Sequence, residues 1–140
     1  MIADKISVMS GDIVKTPLGD IHKSPDSFDF TKVEDFYISK SNQGVPKAWK
    51  IHKKMTLRLS VIEGLVRFVF VDIFDLTDIY EIEISSQQNI FITVSPRVLF
   101  GFVCLSSGSA SIINLPNIKH SEAEVERYPI DFVNYNWGNQ

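Results

Sequence analysis

The sequence predicts an all-β domain, and three observations carry that prediction. Short runs of β-branched and aromatic residues recur along the 140-residue chain, most of them bounded by Gly, Pro, Asn or Ser turn signals. The run over residues 79–85 alternates, with Tyr80, Ile82 and Ile84 on one face and Ile79, Glu81 and Glu83 on the other; Ile79 apart, this is a half-buried strand with its acids outside. The run over residues 65–74 (LVRFVFVDIF) is almost continuously apolar, as suits a strand covered on both sides or a barrel stave. Many short strands at this spacing point to a two-sheet sandwich or a barrel.

Taken in order, residues 5–9 and 12–16 read as two short strands, separated by Ser10-Gly11 and followed by the turn at Leu18-Gly19-Asp20. Residues 22–32 are polar, contain Pro25 and read as a loop that leaves His22 exposed. Residues 33–39 (VEDFYIS) are rich in β-formers. Pro46 then suits the start or edge of a strand. Residues 56–62 and 65–74 flank Glu63-Gly64, which reads as a tight hairpin connection. Residues 90–94, 99–105 and 110–115 supply further strands, parted by Ser95-Pro96-Arg97 and the small residues 106–109. One helix is expected: Ser121 and Glu124 form a capping-box pattern, with acids in the first turn, and the helix would be short, ending near Arg127 before Pro129. Phe132, Tyr135 and Trp137 make a terminal segment, residues 131–140, that should dock on the body.

Length predicts one domain over residues 1–140. A hydrophobic share of 44% and a charged share of 22% are those of an ordinary globular protein. The net charge of −3 argues against a nucleic-acid partner. No apolar run approaches the ~20 residues of a membrane-spanning helix, and the first residues lack the apolar stretch of a signal peptide, so a cytoplasmic protein without a membrane partner is expected. The single Cys104 excludes an internal disulfide and, inside LFGFVCLS, reads as a buried thiol.

The stretch from Lys47 to Gly64, KAWKIHKKMTLRLSVIEG, concentrates the candidate chemistry. In a strand, Ala48, Lys50 and His52 share one face, and Trp49 and Ile51 the other. An ammonium and an imidazole on one face make a contact for an anion or a keto sugar. Lys53 and Lys54 prolong the cationic run, as a solvated turn would. Arg58 shares its face with Ser60, either lining a pocket or facing solvent.

The order of GVPKAWKIHKKMTLRLSVIEGLVRFVFVD, VSPRVLFGFVCL and IINLPNIKHSEAEVER resembles the cupin family around dTDP-4-dehydrorhamnose 3,5-epimerase, in particular a divergent, epimerase-related branch. The resemblance covers roughly residues 10 to 137. It implies a cupin-type jelly-roll barrel, usually dimeric, that binds a nucleotide-diphospho-sugar without metal or other cofactor. The family's Arg-Gly-Leu-His-x-Gln motif falls on Lys47, Ala48, Trp49, Lys50, Ile51 and His52. Lys47 keeps the charge near the diphosphate but loses the bidentate fork. The position of the family's basic His holds Lys50, its catalytic Lys falls on Leu57, and the His of its Ala-His-Gly-Phe segment falls on Phe100. The family's tyrosine acid falls near Asn114, and Asp72 matches an acid after the long strand. The usual catalytic His/Lys/Tyr set is therefore substituted.

Epimerisation beside a ketone needs a base for the C–H proton and an acid or electrophile for the enolate oxygen. Lys50 and His52 are the candidate catalytic pair. An ammonium serves as a base only when burial depresses its pKa; alternatively Lys50 polarises the ketone while His52 takes the proton. Lys47, Arg58 and Asp72 are candidate ligand contacts, with Lys47 and Arg58 on the diphosphate. Trp49 and Phe100 either stack on the ligand or belong to the core. Asn114, inside IINLP, needs partners if buried and either contacts the sugar or serves structure. His120 either meets the ligand at the barrel mouth or packs at the start of the helix. A cupin metal site needs two or three His and a carboxylate, and only His52 lies in the right strand region, so none is expected. The resulting expectation is a nucleotide-sugar epimerase- or isomerase-related homodimer of deoxysugar or surface-polysaccharide biosynthesis. The alternative is a non-catalytic sugar-nucleotide-binding cupin or a partner subunit.

Overall fold

Alternation of side chains places one face of each strand inward, and that pattern organises the molecule into two facing sheets. The computed structural model describes residues 1–138. Its strands are β1 (Ile6–Ser10), β2 (Ile13–Val14), β3 (Ile21–His22), β4 (Tyr37–Asn42), β5 (Lys47–His52), β6 (Leu57–Glu63), β7 (Leu65–Asp72), β8 (Asp75–Ser85), β9 (Ile90–Val94), β10 (Leu99–Cys104), β11 (Ser109–Pro116) and β12 (Val125–Arg127). One five-stranded sheet has the order β1-β9-β6-β11-β4, the other β12-β5-β10-β7-β8, and β2 and β3 form a separate pair. The named strands pair antiparallel throughout, in the jelly-roll arrangement expected from the sequence.

The space between the sheets is apolar. Leu57, Leu59 and Val61 of β6 and Ile112 of β11 face Phe68 and Phe70 of β7 and Phe100 and Phe102 of β10. Each such ring or aliphatic side chain contributes roughly 1.5–3 kcal/mol on burial. The continuous apolar run of β7 has the reason suggested by its composition. Phe68 and Phe70 face the interior, while Val69 and Val71 join a second cluster on the outer face with Trp49, Ile51, Leu99, Val133 and Trp137. The C-terminal segment covers that outer face, as its aromatics predict; Asn139 and Gln140 lie outside the described residues.

Two local expectations are corrected. Glu63-Gly64 is not a hairpin: β6 pairs with β9 and β11, whereas β7 pairs with β8 and β10, so the chain crosses from one sheet to the other there. Gly64 has φ +85°, and a Cβ on it would lie 2.6 Å from the Ser106 hydroxyl. The C-terminal helix is a single 3₁₀ turn, Glu122–Glu124, followed by β12. Ser121 makes no capping bond, and the Glu124 carboxylate turns away to His52 and to the amides of Lys54 and Met55. Six residues are too few to nucleate a helix against these long-range partners. Val125, Glu126 and Arg127 instead extend the second sheet by pairing with His52, Ile51 and Lys50. Among the described residues, no helix is long and apolar enough to cross a membrane.

Candidate functional site

β5 positions the site. Its Trp49 and Ile51 lock into the outer cluster, which obliges Lys50 and His52 to face the opposite way. A cavity of about 520 Å³ opens beside Lys50, with Phe100 and Phe102 as its apolar wall, and His52 lies outside its lining. Lys47 and Lys50 of β5, Arg127 of β12, Ser39 of β4 and Tyr128 also line it. The Lys50 ammonium lies 5.4 Å from the centroid of the Phe100 ring. Burial, with the charges of Arg127 and Lys47 adding to it, pulls its pKa from 10.5 down to about 8. Lys47 is more exposed, and its Nζ donates to the Lys40 carbonyl at 2.6 Å. Arg127 donates to the exposed Glu122 carboxylate at 2.9 Å.

His52 is buried, and its ring stacks on Phe100 with centroids 6.0 Å apart. Its Nδ1 lies 2.6 Å from Oε1 of Glu124. The other carboxylate oxygen accepts the amides of Lys54 at 2.8 Å and Met55 at 3.1 Å. Burial alone would raise the Glu124 carboxyl, but these amides and the His52 ring outweigh it and hold the pKa below the ordinary value. The carboxylate therefore stays ionised, and Nδ1 must be the donor. Burial pushes the His52 imidazole below its ordinary pKa against the pull of Glu124, and Lys50 adds to the depression. The result is a neutral ring with a bare Nε2, buried and without a hydrogen-bond partner. That arrangement is a base poised for a proton.

A phenol comes from the facing sheet. Tyr37, Ser39 and Ser41 alternate along the inward face of β4, with Asn114 opposite Tyr37. The Tyr37 hydroxyl is buried and unpartnered, and burial, with the charges of Asp35 and Glu124, raises its pKa. Its ring packs edge-on against His120 at 5.7 Å.

The structure gathers some of the sequence candidates and disperses others. Lys47, Lys50 and Phe100 line the cavity, with His52 against the same ring. Asn114 is buried and supports the wall from behind, its amide donating to Ser39 Oγ at 3.0 Å and to the carbonyls of Tyr37 and Ile112. His120 sits at the rim between Tyr37 and Glu122. Trp49 borders the cavity, but its indole belongs to the outer cluster, stacked near Trp137 and donating to the Ile130 carbonyl at 3.0 Å. Arg58 lies on the outer face of the other sheet, 5.3 Å from the Phe28 ring centroid, because Leu57 and Leu59 take the inward positions. Asp72 ends β7, where it accepts the Phe74 amide and closes the β7–β8 turn. Among the described residues, no group of three or more His, Cys, Asp or Glu is placed to hold a metal ion.

Three side chains of the candidate site are not singled out by the sequence. Glu124 and Arg127 were absorbed into the expected helix, and Tyr37 into a strand placed too early. The alternation of three hydroxyl-bearing residues, Tyr37, Ser39 and Ser41, is the signal that marks an inward polar face.

No family model matches the sequence, and no curated protein matches it. Solved structures do. A dTDP sugar isomerase from Desulfovibrio desulfuricans superposes with a TM-score of 0.83 at 23% identity, over 94% of this chain and 90% of that one. The dTDP-4-dehydrorhamnose 3,5-epimerase of Elizabethkingia anophelis gives 0.76 at 17% identity, covering 96% and 82%. A variant of the 3,4-ketoisomerase QdtA from Thermoanaerobacterium thermosaccharolyticum, in complex with TDP-4-keto-6-deoxyglucose, gives 0.73 at 14% identity, covering 89% and 88%. At these identities the likeness is one of fold: the chain has the jelly-roll fold of dTDP-4-dehydrorhamnose 3,5-epimerases and related dTDP-sugar isomerases.

Proposed function

We propose that this protein binds a nucleoside-diphosphate-linked 4-keto-6-deoxyhexose and catalyses its epimerisation or isomerisation without a metal or other cofactor. The observation that carries the reading is the Glu124–His52 pair, which leaves a bare, buried imidazole nitrogen on the same strand face as Lys50. His52 removes the proton beside the ketone. Lys50 activates the carbonyl, and Tyr37, held protonated by burial, returns a proton from the opposite sheet. Lys47 and Arg127 take the diphosphate at the mouth. The activity named for one structural neighbour and the sugar nucleotide bound in another support the substrate class. Deoxysugar or surface-polysaccharide biosynthesis in the cytoplasm is the setting of the proposal, with a homodimer as the working form.

The test is proton NMR of dTDP-4-keto-6-deoxyglucose in D2O with the protein. Deuterium should enter at a carbon flanking the ketone, and His52→Asn should stop it while leaving nucleotide binding. One observation favours a second reading, a silent sugar-nucleotide-binding protein: Leu57 and Phe100 occupy the interior with apolar atoms. Nucleotide line broadening without deuterium uptake would select that reading, and neither signal would overturn both.

A further inference from the structure

We propose that Lys50 acts covalently: its amine forms an imine with the ketone of the bound sugar, and His52 takes the neighbouring carbon-bound proton from that adduct. This inference rests on the function proposed above and specifies how Lys50 activates the carbonyl.

Geometry carries it. Among the described residues, no hydrogen bond or ion pair holds the Lys50 nitrogen; it lies over the Phe100 ring. Lys47 and Arg127 line the same cavity, and each raises the cost of a third positive charge there. The carboxylates on that side are already engaged, Glu122 by Arg127 and His120, and Glu124 by His52 and two amides. An amine in an apolar pocket beside other cations is activated as a nucleophile. With its pKa at about 8, roughly a tenth of Lys50 is neutral at pH 7. An ordinary lysine has less than about a thousandth in that form. His52 shares the strand face of Lys50, and both lie against the Phe100 ring.

The step balances. The neutral Nζ attacks the carbonyl carbon, and the π electrons move to oxygen, which is protonated. The carbinolamine loses water and leaves a protonated C=N bond. His52 Nε2 takes a proton from the adjacent carbon, and the C–H electrons form the C=C of an enamine while the C=N π electrons return to nitrogen. Reprotonation at carbon restores the iminium. Water then adds, the C–N bond breaks, and the ketone and the amine are released. One water is lost and one consumed, and no oxidant or reductant takes part.

The test is reductive trapping of the full-length protein with dTDP-4-keto-6-deoxyglucose and sodium cyanoborohydride, read by intact mass and peptide mapping. Deuterium exchange by NMR runs in parallel. The expected result is one adduct, on the peptide holding Lys50, with the mass of the sugar nucleotide minus water plus two hydrogens. It should vanish in Lys50→Arg and in Lys50→Met, both checked for folding by circular dichroism, and persist in the surface control Lys23→Arg. Exchange without any adduct would overturn the imine and leave the proposed function standing. An adduct that survives in the Lys50 variants would overturn the assignment to this residue. The absence of both adduct and exchange would remove the proposed function, and the imine with it.

Discussion

Replacing Lys50 with Met should stabilise the protein at neutral pH, by an amount that disappears on the alkaline side. Lys50 titrates near 8 in the folded chain against 10.5 ordinarily. At about 1.4 kcal/mol per tenfold, that gap is worth roughly 3 kcal/mol. Between those two pH values the unfolded chain binds the proton that the folded chain has released. Stability therefore rises with pH across the window, and the full penalty stands below pH ~8. Met keeps an unbranched stem over the Phe100 ring and a thioether that favours aromatic contact, without the charge. Urea unfolding followed by the fluorescence of the buried Trp49 and Trp137 gives the assay, run for both proteins from pH 7 to 10.5. Lys50→Met should be more stable by up to about 3 kcal/mol at pH 7, the difference shrinking toward zero by pH ~10.5. Groups that titrate alike in both proteins cancel in the comparison. A difference that stays flat with pH, or a Met variant that is less stable at pH 7, would refute the reading of Lys50 as a desolvated, unpaired amine.

Two further outcomes follow from geometry. Gly101→Ala should destabilise the fold by about 1–3 kcal/mol in the same unfolding assay, because a Cβ there would lie 2.5 Å from Ala48 Cβ and 2.9 Å from the Lys47 carbonyl oxygen. Glu124→Gln should lower deuterium exchange by roughly 10²- to 10⁴-fold with His52 still present, since a neutral amide no longer dictates which ring nitrogen carries the proton. Glu124 titrates below its ordinary value in the folded state, so it contributes stability that is lost as pH falls through that folded pKa; the variant should show a shallower acid limb in pH-dependent unfolding.

The strands were legible because a half-buried strand advertises itself by period. Residues 90–94 match β9, and the alternation around Glu81 and Glu83 is the exposed face of β8. Sheet membership was less legible. Glu63-Gly64 carries the residues of a tight turn, and only the pairing of β6 with β11 and of β7 with β10 shows that the turn passes between sheets. The site was half legible for the same reason. Lys50 and His52 share a face by local geometry, which sequence spacing gives directly. Their partners do not: Glu124 reaches His52 across 72 positions of chain, and a capping-box pattern at Ser121 offered that carboxylate a competing local role. Arg58 and Lys50 are equally cationic in the sequence; what separates them is which face of each strand the core claims, Leu57 and Leu59 deciding the first and Trp49 and Ile51 the second.

The apolar side chains that fill the interior create the environment in which Lys50 changes character. The interior positions hold Phe100 and Leu57, and the neighbouring His52 ring has its Nδ1–H committed to Glu124. Apolar filling removes the groups that would solvate a cation, and Lys47 and Arg127 remove the electrostatic benefit of being one. Both effects drive the same equilibrium toward the free amine. In a wet site Lys50 would be an inert ammonium; under the imine proposal, its burial makes it a nucleophile. The fold fixes where β5 presents its face, and the apolar interior decides which chemistry that face can perform.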